Sequence, residues 1–159
     1  MRIGNESIIL GSLPYRKTPQ YGKVRRGCRT VINSDAKNSN IALAMRCKFV
    51  TGYEGVITIG DFCQISSSTL ITDTDSHPVD ISERMKQMRG EKFDFSTVNI
   101  RPITIGSNVW IGWGVTILKG VTIGDNCIVA ANSVVVGNST YPDSCVIAGN
   151  PAKIVKLLK

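Results

Sequence analysis

Apolar positions in this chain recur every six residues over a long stretch. From Ile103 to Val136 the sequence reads ITIGSN, VWIGWG, VTILKG, VTIGDN, CIVAAN and SVVV, with no insertion between blocks. The third position of each block is aliphatic: Ile105, Ile111, Ile117, Ile123, Val129 and Val135. A small residue follows most of them (Gly106, Gly112, Gly124, Ala130), with Leu118 and Val136 as exceptions. A second small or apolar side chain stands four residues after each of the first five: Val109, Val115, Val121, Cys127 and Ser133. An α-helix repeats near 3.6 residues and a strand every two, so neither sustains a period of six. A coil of short strands joined by tight turns does, and the pattern predicts a parallel β-helix. One coil alone cannot bury its apolar face, whereas stacked coils can. The glycines fall where a turn needs positive φ or close backbone approach.

The same beat runs upstream through Ile59-Gly60, Ile65-Ser66 and Ile71-Thr72, with Cys63 and Thr69 at the second inward position. Stepping back by six reaches Tyr53, Cys47 and Ile41. From Ile71 to Ile105, however, is thirty-four residues, which is not a multiple of six. The coils are therefore expected over 41–74 and 102–137, with 75–101 protruding between them. That segment is crowded with charge (Asp80, Glu83, Arg84, Lys86, Arg89, Glu91) and lacks the repeat. An excursion this long in a compact domain is functional or disordered. Asp80-x-x-Glu83 resembles a capping box, and Met85 with Met88 offers a small apolar contact, so a solvent-facing helix is the alternative reading. At the other end, Asn150 as N-cap and Pro151 in the first turn predict a short helix over 150–159. Its stripe of Ile154, Leu157 and Leu158 would lie over the open end of the coil or against a neighbouring chain. Residues 1–40 carry no readable pattern.

Composition fits one domain over 1–159: 42% of residues are hydrophobic and 19% charged, which is ordinary globular material. No apolar run approaches the length of a membrane span, and MRIGNESIILGSLPYRK lacks a signal-peptide layout. Five cysteines without CxxC spacing suggest neither a disulfide framework nor a zinc site, and a reducing cytoplasm is the expected compartment. The net charge of +7 gathers at Arg16-Lys17, at Lys23 to Arg29 and at Lys153, Lys156 and Lys159. These clusters favour anionic partners such as phosphate-bearing cofactors or acidic glycans, or else they solvate the surface. Nucleic acid is not expected, because no aromatic-rich basic face or finger spacing accompanies the charge.

The chain has one histidine, His77, in TDTDSHPVD, where the coil breaks and the excursion begins. Loops mounted on a rigid scaffold concentrate function, and a histidine can accept a proton at neutral pH as a general base must. A structural role for a lone loop histidine stands beside that reading. Its orienting partner is open among Asp73, Asp75, Glu91 and a backbone carbonyl.

Taken together, the repeat, the SHPVD segment, NVWIGWGVTILKGVTIGDN and AGNPAKIVK resemble the hexapeptide-repeat acyltransferases. The resemblance is to the galactoside, maltose and Nod-factor O-acetyltransferase branch and its relatives that acetylate surface polysaccharides, and it covers Ile57 to the C-terminus. It implies an all-β, left-handed parallel β-helix, an exception to the usual right-handed crossover. It also implies a homotrimer with active sites between subunits, acetyl-CoA as donor and no metal. By the same resemblance His77 is the catalytic base. Trp110 would line the donor cleft, with outward packing at a trimer interface as its alternative role. Gly112, Trp113, Ala131 and Val136 would let the pantetheine arm lie along the coil, and Lys153 would meet CoA phosphates. Asp75 and Arg84 are candidate acceptor-binding residues, Arg84 together with Lys86 and Arg89 favouring an acidic acceptor.

The chain departs from the family pattern in several places. Trp113 is bulkier than the small residue usual there, and Val136-Gly137 replaces a Thr-Lys pair. The family's acceptor-pocket asparagine would fall near Arg46-Cys47, and its N-terminal helical region is not recognisable in residues 1–40. These departures move the expected acceptor from a free sugar towards an envelope glycan or lipid-linked saccharide. An N-acetyltransferase acting on an amino sugar or antibiotic, and a non-catalytic β-helix scaffold, are the competing classes. A γ-class carbonic anhydrase is disfavoured, since one histidine per chain cannot supply three zinc ligands.

Overall fold

The computed structural model describes residues 55–159 together with four earlier strands: β1 (Ile8–Ile9), β2 (Arg29–Ile32), β3 (Ala42–Leu43) and β4 (Lys48–Val50). Then follow β5 (Val56–Ile59), β6 (Gln64–Ile65) and β7 (Leu70–Thr72), helix α1 (Ile81–Met88) and a 3-10 turn at Phe95–Thr97. The coil resumes with β8 (Ile103–Ile105), β9 (Trp110–Ile111), β10 (Thr116–Ile117), β11 (Thr122–Ile123), β12 (Ile128–Val129) and β13 (Val134–Val135). It ends in β14 (Thr140–Tyr141), β15 (Cys145–Gly149) and β16 (Ala152–Leu157).

Successive strands go to different sheets, and from β2 to β12 each strand pairs in parallel with the strand three places on. The first face is β2-β5-β8-β11-β14, extended by β1; the second is β3-β6-β9-β12-β15; the third is β4-β7-β10-β13. The result is the parallel coil that the period of six predicts, and it has three sides. Ile105 pairs with Ile123, Ile111 with Val129 and Ile117 with Val135, so one turn takes eighteen residues, or three hexads. All six aliphatic beat positions are buried, and so are the second inward residues Cys63, Thr69, Val109, Val115, Val121, Cys127 and Ser133. Left-handed backbone recurs at the corners every six residues, at Asn108, Gly114, Gly120, Asn126, Asn132, Asn138 and Ser144. Glycine and asparagine are the residues that adopt this conformation at least cost.

The coil outlasts the expected limit at residue 137. Tyr141 and Ile147 continue the beat and are buried, as is Cys145 between them. The aromatic ring at 141, followed by Pro142-Asp143, hides the repeat in the sequence. The helix expected over 150–159 is not present. Ala152–Leu157 forms strand β16, antiparallel to β15, with Gly149 opposite Ala152 and Cys145 opposite Leu157. The turn between them holds the cis Asn150–Pro151 peptide. The open edge of β15 presents unpaired N–H and C=O groups, and a paired strand satisfies them where a helix lying over them would not.

The excursion leaves the coil undisturbed. Ile59 pairs with Ile105, forty-six residues on, against eighteen for an uninterrupted turn, so it adds twenty-eight residues and keeps the register. It contains the alternative solvent-facing helix: α1 has Asp80 as N-cap, whose Oδ1 accepts from Glu83 N at 2.9 Å, and none of its residues is buried. Glu83 does not complete a capping box; it accepts from Asp94 N at 2.7 Å and from Lys86 Nζ at 2.6 Å. The positions Ile41, Cys47 and Tyr53 lie outside the described residues. So do Arg46, Arg16-Lys17 and most of the Lys23–Arg29 cluster.

Candidate active site

The excursion springs from the corner between the third and first faces. Its two ends are stitched together by Asp75 N to Asn99 O (3.0 Å), Arg101 N to Asp73 O (2.9 Å) and an antiparallel bridge between Thr74 and Ile100. Asp73 is buried, with its carboxylate against Gly55. Thr74 Oγ1 accepts from Ser76 N at 3.0 Å, and Ser76 takes a left-handed φ of 63°. That turn carries His77 out to an exposed position while Pro78 behind it is buried. The residue before a proline favours extended backbone, which directs the chain away from the coil.

His77 Nδ1 lies 2.9 Å from Gln87 Oε1. Gln87 is on α1, three residues after Arg84, so the two share a helix face. Arg84 Nη1 donates to Pro78 O (3.1 Å) and Val79 O (2.9 Å), clamping the backbone just beyond His77. Asp75, at the root, accepts from Lys119 Nζ and from Asn99 Nδ2 (3.2 Å). The Ser82 hydroxyl and the Glu83 N–H hold the Asp80 carboxyl below its ordinary range, and Lys86 with the Asp94 N–H does the same for Glu83. Both helix anchors therefore stay charged.

The other candidate residues lie on the coil. Trp110 is half exposed on the second face, between Gln64 and Ile128 on the neighbouring strands. Beside it is a groove of about 500 Å³ lined by Phe62, Gln64, Asn108, Ile128 and Leu158 among others. Gly112, Trp113 and Ala131 share the next corner, between the second and third faces. A Cβ on Gly112 would sit 2.6 Å from Ala131 N, so only glycine lets these coils approach. Trp113 O accepts from Asn132 N at 2.8 Å, and its side chain is 55% exposed. Val136 follows β13 at the corner from which the excursion springs. Lys153 is exposed on β16, opposite Ala148.

Gly112, Trp113 and Ala131 are thus together with Trp110 beside them, while His77 belongs to a different corner. Three residues escape sequence reasoning: Gln87, Lys119 and Asn99. Helical spacing from Asp80 places Gln87 on the face of Arg84, but its reach to His77 depends on how the helix folds back. Among the described residues no cluster of three or more His, Cys, Asp or Glu side chains could hold a metal.

The stacked hexads define a hexapeptide-repeat β-helix protein, and comparison with known proteins agrees. The bacterial transferase hexapeptide (six repeats) family matches residues 102–137. A maltose O-acetyltransferase from Clostridium difficile 630 is 31% identical over 77% of this chain and 68% of its own, with a TM-score of 0.56. A hexapeptide-repeat acetyltransferase from Vibrio cholerae is 34% identical over 75% of this chain and 63% of its own, TM-score 0.55. The polySia-specific acetyltransferase NeuO is 30% identical over 74% and 49%, TM-score 0.59. The chain therefore spans less than two thirds of the length of the Vibrio protein and about half that of NeuO. No curated protein matches it. The chain belongs to the hexapeptide-repeat transferase family, and its coil is the left-handed parallel β-helix of that family.

Proposed function

We propose that the protein is an acetyl-CoA-dependent O-acetyltransferase acting on a saccharide hydroxyl, with His77 as general base. The observation that carries this reading is the placement of the sole histidine: exposed at the root of a braced excursion, with Nδ1 engaged by Gln87 and Nε2 left for an acceptor. The acceptor hydroxyl gives its proton to Nε2 as its oxygen bonds to the acetyl carbonyl carbon. The resulting oxyanion is held by backbone N–H groups at a coil corner. When it collapses the C–S bond breaks, and the CoA thiolate leaves with the proton from Nε2.

The donor would run past Trp110, Gly112, Trp113 and Ala131, with Lys153 near its phosphates, whereas Val136, at the corner that carries His77, would meet only the reacting end of a donor lying on a neighbouring copy. One face of the coil, at most about 20 Å for a hexad of extended chain, separates that corner from the one carrying His77. The reacting atoms must meet within hydrogen-bond distance. This favours a homotrimer in which one copy supplies the donor corner and its neighbour supplies His77. The exposed apolar side chains Trp110, Trp113, Val155 and Leu157 suit such a contact. The maltose and polySia acetyltransferases support a saccharide acceptor, and we favour an acidic envelope glycan or its precursor. Asp75 and Arg84 shape the acceptor side by bracing the loop. No described helix is long and apolar enough to cross a membrane. We place the reaction in the cytoplasm because the proposed donor, acetyl-CoA, is a cytoplasmic metabolite.

A panel of saccharides, amino sugars and other amines incubated with acetyl-CoA tests the reading, with thiol release and product mass as readouts. Saccharide-dependent thiol release is expected, giving an ester that hydroxylamine cleaves. His77→Ala should slow it roughly 10²- to 10⁴-fold. An amide product, or unchanged turnover in the variant, would overturn the assignment.

A further inference from the structure

We propose that Gln87 is the positioning residue for His77, holding its ring in the tautomer with the proton on Nδ1 and the lone pair on Nε2. A neutral imidazole has one N–H donor and one bare acceptor nitrogen, and the partner of one nitrogen decides the state of the other. Oε1 of Gln87, 2.9 Å from Nδ1, can only accept, so the tautomer that makes this hydrogen bond is the one with the proton on Nδ1. The carboxylates that sequence allows as orienters are directed elsewhere. Asp75 accepts from Lys119 and Asn99. Asp73 is buried in the coil against Gly55. Glu91 is exposed beyond the end of α1, its N–H donating to Lys86 O at 3.0 Å.

The helix that carries Gln87 is fixed relative to the ring by three independent contacts. Asp80 caps it, Arg84 grips the carbonyls of Pro78 and Val79, and Glu83 ties it to Asp94 on the returning strand of chain. One face of α1 therefore reads the His77 segment twice, backbone through Arg84 and side chain through Gln87. A neutral amide accepts the Nδ1 proton without adding a carboxylate beside the base. This role gives the exposed helix, none of whose residues is buried, a purpose beyond packing. Its catalytic consequence rests on the acetyl-transfer reading, whereas the tautomer is a property of the free protein.

Because His77 is the only histidine, ¹H–¹⁵N correlation spectra of the uniformly labelled full chain report its ring without assignment. At about pH 9, where an imidazole is neutral, the wild type should show the Nδ1–H pattern. Gln87→Leu, which suits a helix but offers no acceptor, should shift the ring towards Nε2–H and lower kcat by roughly 10- to 100-fold with KM for acetyl-CoA unchanged. Gln87→Glu, which restores an acceptor at the same reach, should restore the Nδ1–H pattern. A wild-type ring with its proton on Nε2, or a tautomer identical in wild type and Gln87→Leu, overturns the assignment. A Leu-induced tautomer shift in a protein with no acetyl-transfer activity upholds it and rejects the acetyl-transfer reading alone.

Discussion

The Tyr141 hydroxyl donates to the Ala152 carbonyl oxygen at 2.9 Å, and both residues are buried. Tyr141 stands on the beat of the last coil and Ala152 opens β16, so this hydrogen bond ties the coil to the strand that covers its edge. Tyr141→Phe keeps the ring and its apolar burial but leaves the carbonyl without this donor. Urea denaturation should show a loss of about 1–2 kcal/mol. A loss below about 0.5 kcal/mol would mean that water replaces the hydroxyl and that β16 is held by its backbone ladder alone.

The same pair shows why some of the fold was legible and some was not. Period six is a one-dimensional signal: each beat residue faces inward whatever its distant neighbours do, so Ile105 to Val135 could be assigned to the interior from sequence. At Tyr141 the signal persists but the residue type changes, and the last coil is hidden. The tail failed for another reason. Ile154, Leu157 and Leu158 satisfy a helical period, yet the open edge of β15 offers hydrogen bonds that local periodicity does not encode. The candidate site divides in the same way. His77 stands out in the sequence because it is unique and lies where the beat breaks, whereas Gln87 meets His77, and Lys119 meets Asp75, only once a twenty-eight-residue excursion folds back.

Gly112 and Gly90 make opposite predictions from one substitution. A Cβ on Gly112 would meet Ala131 N at 2.6 Å and Val129 O at 2.9 Å, both backbone atoms that cannot rotate away. Gly90 has open space around it, but a φ of 73°. Gly112→Ala must push apart adjacent hydrogen-bonded coils and should cost about 2–3 kcal/mol, against about 1 kcal/mol for the left-handed strain of Gly90→Ala. Urea midpoints of both variants check this. If Gly112 also lines the donor path, KM for acetyl-CoA should rise in Gly112→Ala only.

Burial pushes the Cys63 thiol up to about 11, and the nearby Asp61 and Asp125 charges add to the shift. Its Sγ donates to Gly106 O at 3.1 Å, a contact only the protonated form makes. The folded protein thus holds this proton to higher pH than the unfolded chain, whose thiol titrates near its ordinary value of about 9. Its contribution is complete below about pH 9 and is lost as pH rises through about 11, amounting to roughly 3 kcal/mol. Denaturation midpoints should fall over that window, and fall less in Cys63→Ala. Native-state alkylation at about pH 8 should leave Cys63 unlabelled until the chain unfolds. A midpoint independent of pH between 9 and 11 would show that this thiol is not held in its neutral form.

Lys119 reaches from a corner of the coil to Asp75, the ion pair nearest the root of the excursion, and each side chain is roughly a quarter exposed. Partial exposure limits its worth, and a double-mutant cycle of Lys119→Met and Asp75→Asn should give a coupling of about 0.5–1 kcal/mol that shrinks with added salt. Its effect on turnover should be larger than its effect on stability. Asp75 sits two residues before His77, at the point where the chain leaves a rigid scaffold, and small displacements of the proposed base are costly because reacting atoms must be aligned. Lys119→Met should therefore lower kcat by roughly 10-fold while leaving KM for the donor, bound at the other corner, within about 2-fold. Loss of donor affinity together with kcat would instead place Lys119 against the donor, and the two corners would then belong to one chain's site and not to neighbouring copies.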